Sequence, residues 1–251
     1  MDPHEDRMSL TDHLEELRQR LIKSIIIIAV ATALCYVFSD QILAFLKAPA
    51  GDLIDKFVAF SPMDGFIIRM KVALYAGLVL SSPFWAWQLV QFIAPGLTPS
   101  ERRFLIPATF ATAGLFVLGS FAGYLSLGTT MKVLIGMFGT QIEYLPTAGS
   151  YVQLVIFLLL AWGLAFETPV IVVALVYVGL LEPATLRKHR RIAYFIMFVF
   201  AEIVTPVADP IVAPLIIMIP MVALFEISIL ISDRIFARRR ASELSTTGSG
   251  R

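Results

Sequence analysis

The 251-residue chain is predicted to be an all-α integral membrane protein with six transmembrane helices, on three observations. Hydrophobic residues make up 58% of it and charged residues 16%, far from the half-apolar, quarter-charged mix of a soluble domain. Six apolar segments approach the roughly 20 residues that an α-helix needs to cross the hydrocarbon region. The charges cluster in short stretches between those segments instead of covering a surface, so the net charge of +1 names no partner.

The first span, residues 22–45, is preceded by "SLTDHLEELRQRLIK", where Leu10, Leu14, Leu17 and Leu21 recur at helical spacing and Ser9 and Asp12 form a capping-box arrangement. This predicts an amphipathic helix on the membrane surface ahead of the span. The acids and bases before it, and the lack of a short apolar region ending at a small-residue cleavage site, predict a retained helix and not a signal peptide. The second and third spans, 70–93 and 104–127, are joined by "FIAPGLTPSERRFLIP". Pro95 and Gly96 end one helix there, and Thr98, Pro99 and Glu101 supply the N-cap, first position and third position of the next. "GSFAG", Gly119 to Gly123, permits close helix contact in the third span. The fourth span, 151–180, contains "AFETPVI". The fifth, 192–206, is short and holds Glu202, and the sixth, 211–232, holds Pro214, Pro220 and Glu226, so this pair is expected to form a hairpin that falls short of the full bilayer. Residues 1–236 form one domain on this reading. The tail 237–251, basic and then rich in Ser, Thr and Gly, is expected to be disordered.

If all six segments cross, 15 of the 20 Lys and Arg residues fall on one side, including Arg18, Arg20, Arg102, Arg103, the 187–191 cluster and the 238–240 run. The other side keeps Lys47, Lys56 and Lys132, with Arg69 and Lys71 at the mouth of the second helix. That imbalance predicts both termini in the cytoplasm. The two long outer loops, 46–69 and 128–150, hold Pro49, Pro62, Pro146 and several acids, and are expected to form ordered caps.

Enzyme signatures are missing. The chain has no HExxH, no GxSxG, no phosphate-cradling glycine loop and no basic-aromatic nucleic-acid face. The single cysteine, Cys35, lies in an apolar run, and His4, His13 and His189 all lie in predicted cytoplasmic segments, so neither a metal site nor a cofactor is expected. Work must therefore draw on a partner or a transmembrane gradient.

Three acids stand out. Glu16 and Arg20 are four residues apart and suit an ion pair on a surface helix; the other reading is that Glu15, Glu16 and Arg18 present charge to a ligand. Glu101 completes a capping box with Thr98, or offers a rigid carboxylate to a guanidinium; both roles are compatible. Glu167 lies in the middle of the fourth span, where a charge costs about 2.5–3.5 kcal/mol on insertion scales. Pro169 deprives the carbonyl of Ala165 of its helical donor, which favours a kink with exposed backbone polarity. Glu167 then either lines a polar notch, with Glu202 and Thr205 on another helix, or makes a packing hydrogen bond. On residues alone, a proton-coupled small-solute transporter using Glu167 is the competing function.

"HLEELRQRL", "FIAPGLTPSERR", "FETPV", "LRKHRR", "TPVADP" and "LFEI" occur in this order from about residue 9 to residue 236. Together they resemble the TatC family, the large membrane subunit of the twin-arginine protein translocase. The resemblance implies a concave, glove-shaped bundle in the cytoplasmic (inner) membrane of a prokaryote, without enzymatic activity. It implies a receptor for the twin-arginine signal peptides of folded cargo, and export driven by the proton-motive force. Signal-peptide binding falls by resemblance to Glu16 and Glu101, with Arg18 and Arg102 beside them. Glu167 corresponds to the intramembrane acid that meets a polar residue of a small partner subunit. The fifth helix, around Glu202, Ile203, Val204 and Thr205, corresponds to the contact with single-span subunits of the TatA and TatB type. Pro49 and Asp209 match residues of the outer loops. Other copies of the chain and membrane lipids complete the implied partners, with no nucleic acid. Val212 and Ala213 stand where the family often carries a Ser-Gln pair, so Glu202 is expected to supply compensating polarity.

Overall fold

A computed structural model describes residues 10–54, 57–93, 105–138, 145–177, 179–204 and 212–248. Among them there is no β-strand, and ten α-helices hold most of these described residues. Three helical stretches are long and apolar enough to cross a membrane, Leu14–Val37, Leu105–Gly136 and Ala148–Tyr177, with a fourth if the bent pair Asp64–Leu80 and Ser82–Phe92 counts as one.

The helix α1, Leu10–Val37, is continuous for 28 residues. The expected surface helix and first span are therefore one rod; no Gly or Pro separates "EELRQRL" from the isoleucines that follow, so nothing stops propagation. A short α2, Ser39–Lys47, follows. The second span departs more from expectation. It is two helices, α3 Asp64–Leu80 and α4 Ser82–Ile93, bent by 60° at Ser81. Pro83 has no N–H to continue the ladder. At the break the carbonyl of Leu78 accepts from the indole Nε1 of Trp85 at 2.9 Å and the Ser81 hydroxyl at 3.4 Å. The sequence carries this break in "SSPFW".

The third span, α5 Leu105–Gly136, runs 32 residues and takes up the start of what the sequence suggests is an outer loop. At 1.5 Å per residue it is about 48 Å long, well beyond a roughly 30 Å hydrocarbon core. The fourth span divides into α6 Ala148–Phe166 and α7 Thr168–Tyr177, with Glu167 at the junction. Gly179, at φ +82°, closes α7 with the bond from Leu180 N to Leu175 O at 3.0 Å, a left-handed cap that favours glycine. A one-and-a-half-turn α8, Pro183–Lys188, leads into α9 Arg190–Val204, which at 15 residues is short as expected. Helix α10 runs from Val212 to Gly248 and carries Pro220 inside it. Its last turns pass through the tail expected to be disordered; "ARRRASEL" consists mostly of good helix formers with no breaker.

The chain divides into two compact units. One comprises Met1–Phe45 and Gly65–Gly114, where α4 packs on α1 and the Cβ that Gly77 lacks would lie 2.6 Å from the backbone nitrogen of Thr32. The other comprises Leu46–Asp64 and Leu115–Arg251. In it α10 packs along α6, α7, α8 and α9. Gly119 and Gly163 are the points where α5 and α6 close: a Cβ at Gly119 would meet the carbonyl oxygen of Trp162 at 2.5 Å, and one at Gly163 the Phe116 ring at 2.8 Å. The "GSFAG" expectation of close packing is met at Gly119 and at Gly123, where a Cβ would lie 3.1 Å from the Trp162 side chain.

The two loop regions within this unit are joined to each other. Val58 and Thr147 form an isolated parallel bridge, with Val58 N donating to Pro146 O at 3.0 Å. The buried Tyr151 hydroxyl donates to Leu46 O at 2.7 Å, its ring lies 5.3 Å from that of Phe57, and Lys47 Nζ sits 5.4 Å above the Phe57 ring. The described parts of both loops are thus ordered by long-range contacts.

Candidate functional site

The N-terminal third of α1 is polar because it must leave the apolar stretch, and its acids and bases pair along the helix. Exposed Arg18 donates from Nη1 to Glu15 Oε2 at 3.0 Å. The expected partner of Glu16 is confirmed as Arg20: its Nε donates to Glu16 Oε1 at 2.8 Å, and Nη2 donates to the same oxygen. Both side chains are largely shielded, with 18% and 20% of their surface exposed. The third arm of the guanidinium reaches Gln91 on α4, Nη1 to Oε1 at 3.2 Å. Glu16 Oε2 is buried without a hydrogen-bond partner among the described residues. The result is a carboxylate held at one oxygen, with the other buried and unpartnered among the described residues.

Glu167 occupies the opposite kind of setting. It is 8% exposed, and Oε1 has no hydrogen-bond partner among the described residues. The backbone around it behaves as the proline predicts. Glu167 N donates to Leu164 O at 3.1 Å, three residues back, and the stranded carbonyl of Ala165 is taken up by the Thr168 hydroxyl at 2.7 Å. Thr168 thus repairs the defect that Pro169 makes, which lets a 30-residue apolar stretch tolerate a break. Trp162 Nε1, Thr112 Oγ1 and Ser232 Oγ are further buried polar atoms of the fold without partners among the described residues.

The remaining predicted residues divide. Glu202 is half-buried, Ile203 68% exposed and Val204 2% exposed, so the end of α9 presents one apolar side chain outward while its neighbour packs inward. Pro49 lies in a 3-10 segment, Ala48–Leu53, and its carbonyl oxygen sits 2.8 Å from where a Cβ on Gly128 would be. Glu101, Arg102, Thr205 and Asp209 lie outside the described residues.

One cluster escaped the sequence reading. Glu226 on α10 accepts from the Tyr194 hydroxyl at 2.6 Å and from Arg190 Nη2 at 2.9 Å, and Asp233, two turns on, pairs with Arg187 at 2.7 Å. The "LRKHRR" basic run is therefore partly neutralised by α10. The available signal was the seven-residue spacing of Glu226 and Asp233, which puts both on one face of a helix.

The comparisons agree with this architecture. The family model described as TatC, Sec-independent protein translocase protein, matches residues 12–220. The chain is similar to the Sec-independent protein translocase protein TatC of Frankia casuarinae, 37% identical with 94% of this chain and 69% of that protein covered. It is similar to that of Synechocystis sp., 35% identical over 83% and 82%, and to that of Magnetococcus marinus, 36% identical over 95% and 89%. A crystal structure described as a twin arginine translocase receptor, TatC, superposes with a TM-score of 0.72 at 31% identity, covering 88% of this chain and 98% of that one. The same receptor in the detergent DDM gives 0.74. With most of its length matched by the family model and by relatives above 30% identity, the chain belongs to the TatC family of Sec-independent protein translocase proteins.

Proposed function

We propose that the chain is the receptor for twin-arginine signal peptides and the core on which the translocase assembles, in the cytoplasmic membrane of a prokaryote. Six spans with both termini cytoplasmic suit the Lys and Arg distribution. In this reading Glu16 and Glu101 take the paired guanidinium groups of the peptide, with Arg18 and Arg102 shaping the charge around them. Guanidinium suits the task because its planar fork of donors matches carboxylate oxygens where an ammonium does not. The apolar part of the peptide then lies along a concave face. Glu167 and the end of α9, with Glu202, Ile203, Val204 and Thr205, receive single-span subunits of the TatA and TatB type, and further copies of the chain complete the receptor complex. The proton-motive force supplies the work, since no nucleotide-hydrolysing motif is present in the sequence.

The observation that carries this reading is the buried Glu16 Oε2 left without a hydrogen-bond partner among the described residues, in a chain of TatC family membership. The test is site-specific photocrosslinking from positions adjacent to Glu16 and Glu101, with both acids retained, to a signal peptide bearing Arg-Arg or Lys-Lys. Strong crosslinks to the first and weak ones to the second are expected. Glu101→Ala should weaken capture with the fold retained, and Glu101→Gln should be milder; equal crosslinking of all peptides and variants would defeat the clamp.

The buried Glu167 is also what a proton-coupled solute transporter requires. That reading predicts solute uptake by vesicles containing this chain alone.

A further inference from the structure

The pair at the N-terminal end of α1 has an unusual geometry for an arginine and a glutamate. A guanidinium and a carboxylate ordinarily meet fork to fork, with two parallel bonds that use both oxygens. Here Nε and Nη2 of Arg20 converge on Oε1 of Glu16, while Nη1 is committed to Gln91 Oε1 at 3.2 Å. The guanidinium is planar and its five donors are fixed relative to one another. Sending one arm to α4 therefore sets the plane of the group and with it the oxygen that it meets. Gln91 is 71 residues away in sequence, so this constraint comes from the packing of α4 on α1 and not from helix α1 itself.

The consequence falls on Oε2, which is buried and has no partner among the described residues. A buried acceptor left open is destabilising, and a donor that enters from outside relieves it. We propose that Arg20 is a positioning residue for peptide capture: tethered by Gln91, it holds Glu16 through Oε1 alone and leaves Oε2 as the acceptor for a guanidinium N–H of the incoming peptide. The proposal rests on the reading of Glu16 as a signal-peptide ligand given above. Its opposite is an Arg20 that mimics the peptide and must be displaced before binding. Displacement would break three hydrogen bonds, whereas a donor that reaches the buried, unpartnered Oε2 leaves them in place.

The experiment measures binding of a fluorescent synthetic peptide with two consecutive arginines to the full chain in detergent. The variants are Gln91→Leu, Gln91→Glu, Arg20→Lys, Arg20→Gln, Glu16→Gln and the double variant Glu16→Gln/Gln91→Leu, each with its thermal midpoint recorded. Gln91→Leu should weaken binding roughly five- to tenfold, the size of one ordinary intramolecular hydrogen bond. Gln91→Glu, which keeps an acceptor for Nη1, should restore it. Arg20→Lys should behave like Gln91→Leu, because one ammonium cannot hold Glu16 and Gln91 in the same plane. In the Glu16→Gln background the Gln91→Leu change should have no further effect, which a merely structural role of Gln91 would not produce. Tighter binding by Arg20→Gln would make Arg20 a competitor and overturn the proposal, as would unchanged binding by Gln91→Leu while Glu16→Gln still binds weakly. Unchanged binding by Glu16→Gln itself would overturn the receptor reading of Glu16 and the positioning role together.

Discussion

Glu16 and Glu167 are the same side chain in two environments, and the contrast separates an acid that the fold holds from one that the fold merely tolerates. Glu16 has Arg20 on one oxygen and, through it, a link to a second helix. Its geometry is specified even though it sits at the end of a rod where water is near. Glu167 is 8% exposed, has no cation paired with it among the described residues, and borders a break that its neighbours Thr168 and Pro169 create and repair. Pairing makes the first acid part of a structure; isolation makes the second a standing debit against stability that only a partner, a proton or water can relieve.

The contrast breaks most easily at Glu167. Glu167→Met should stabilise the bundle by about 2–3 kcal/mol, because an unpaired buried carboxylate gives way to an apolar side chain of similar length. It should at the same time reduce association with single-span subunits; a lowered thermal midpoint in detergent would show that Glu167 is a packing element after all. The next largest effect is at Gly119, which abuts Trp162 and Phe166 just before the junction. Gly119→Ala should cost about 1–3 kcal/mol, since the added Cβ meets a backbone carbonyl that cannot rotate away. Denaturant titration of the variant measures this. Thr168→Val removes the hydroxyl that serves Ala165 O and should cost about 1 kcal/mol. A midpoint equal to that of the parent protein would mean that water replaces the hydroxyl. Smallest of all, Arg18→Ala removes an exposed pair with Glu15 and should change stability by less than about 0.5 kcal/mol, even if it changes peptide capture.

Particular elements show where reading the sequence succeeds and where it stops. The Glu16–Arg20 pair follows from a spacing of four residues, and the break at Glu167 from the chemistry of one proline; both are consequences of local geometry. The 60° bend at Ser81 follows from the same chemistry at Pro83, yet the apolar run around it hides the break, because hydropathy averages over a window and a turn occupies two residues. The merger of the surface helix with the first span is a similar case: periodicity registers a change of face, whereas continuity depends on the absence of a breaker. The link of Arg20 to Gln91 is different in kind. No local pattern encodes it, since it exists only once α4 lies against α1. The Tyr194–Glu226–Arg190 cluster and the union of the two loop regions at Val58 and Thr147 belong with it.

The sequence by itself determined the apolar, helical character of the chain, the break that Pro169 makes beside Glu167 and the family, because each rests on residues within a turn or two of one another or on motifs in fixed order. The tertiary structure alone decided which oxygen of Glu16 is held and which is left unpartnered, that Glu167 Oε1 has no hydrogen-bond partner among the described residues, and which basic residues α10 neutralises. Those outcomes depend on the azimuth at which one helix meets another, and side-chain packing sets that angle only when distant segments come into contact.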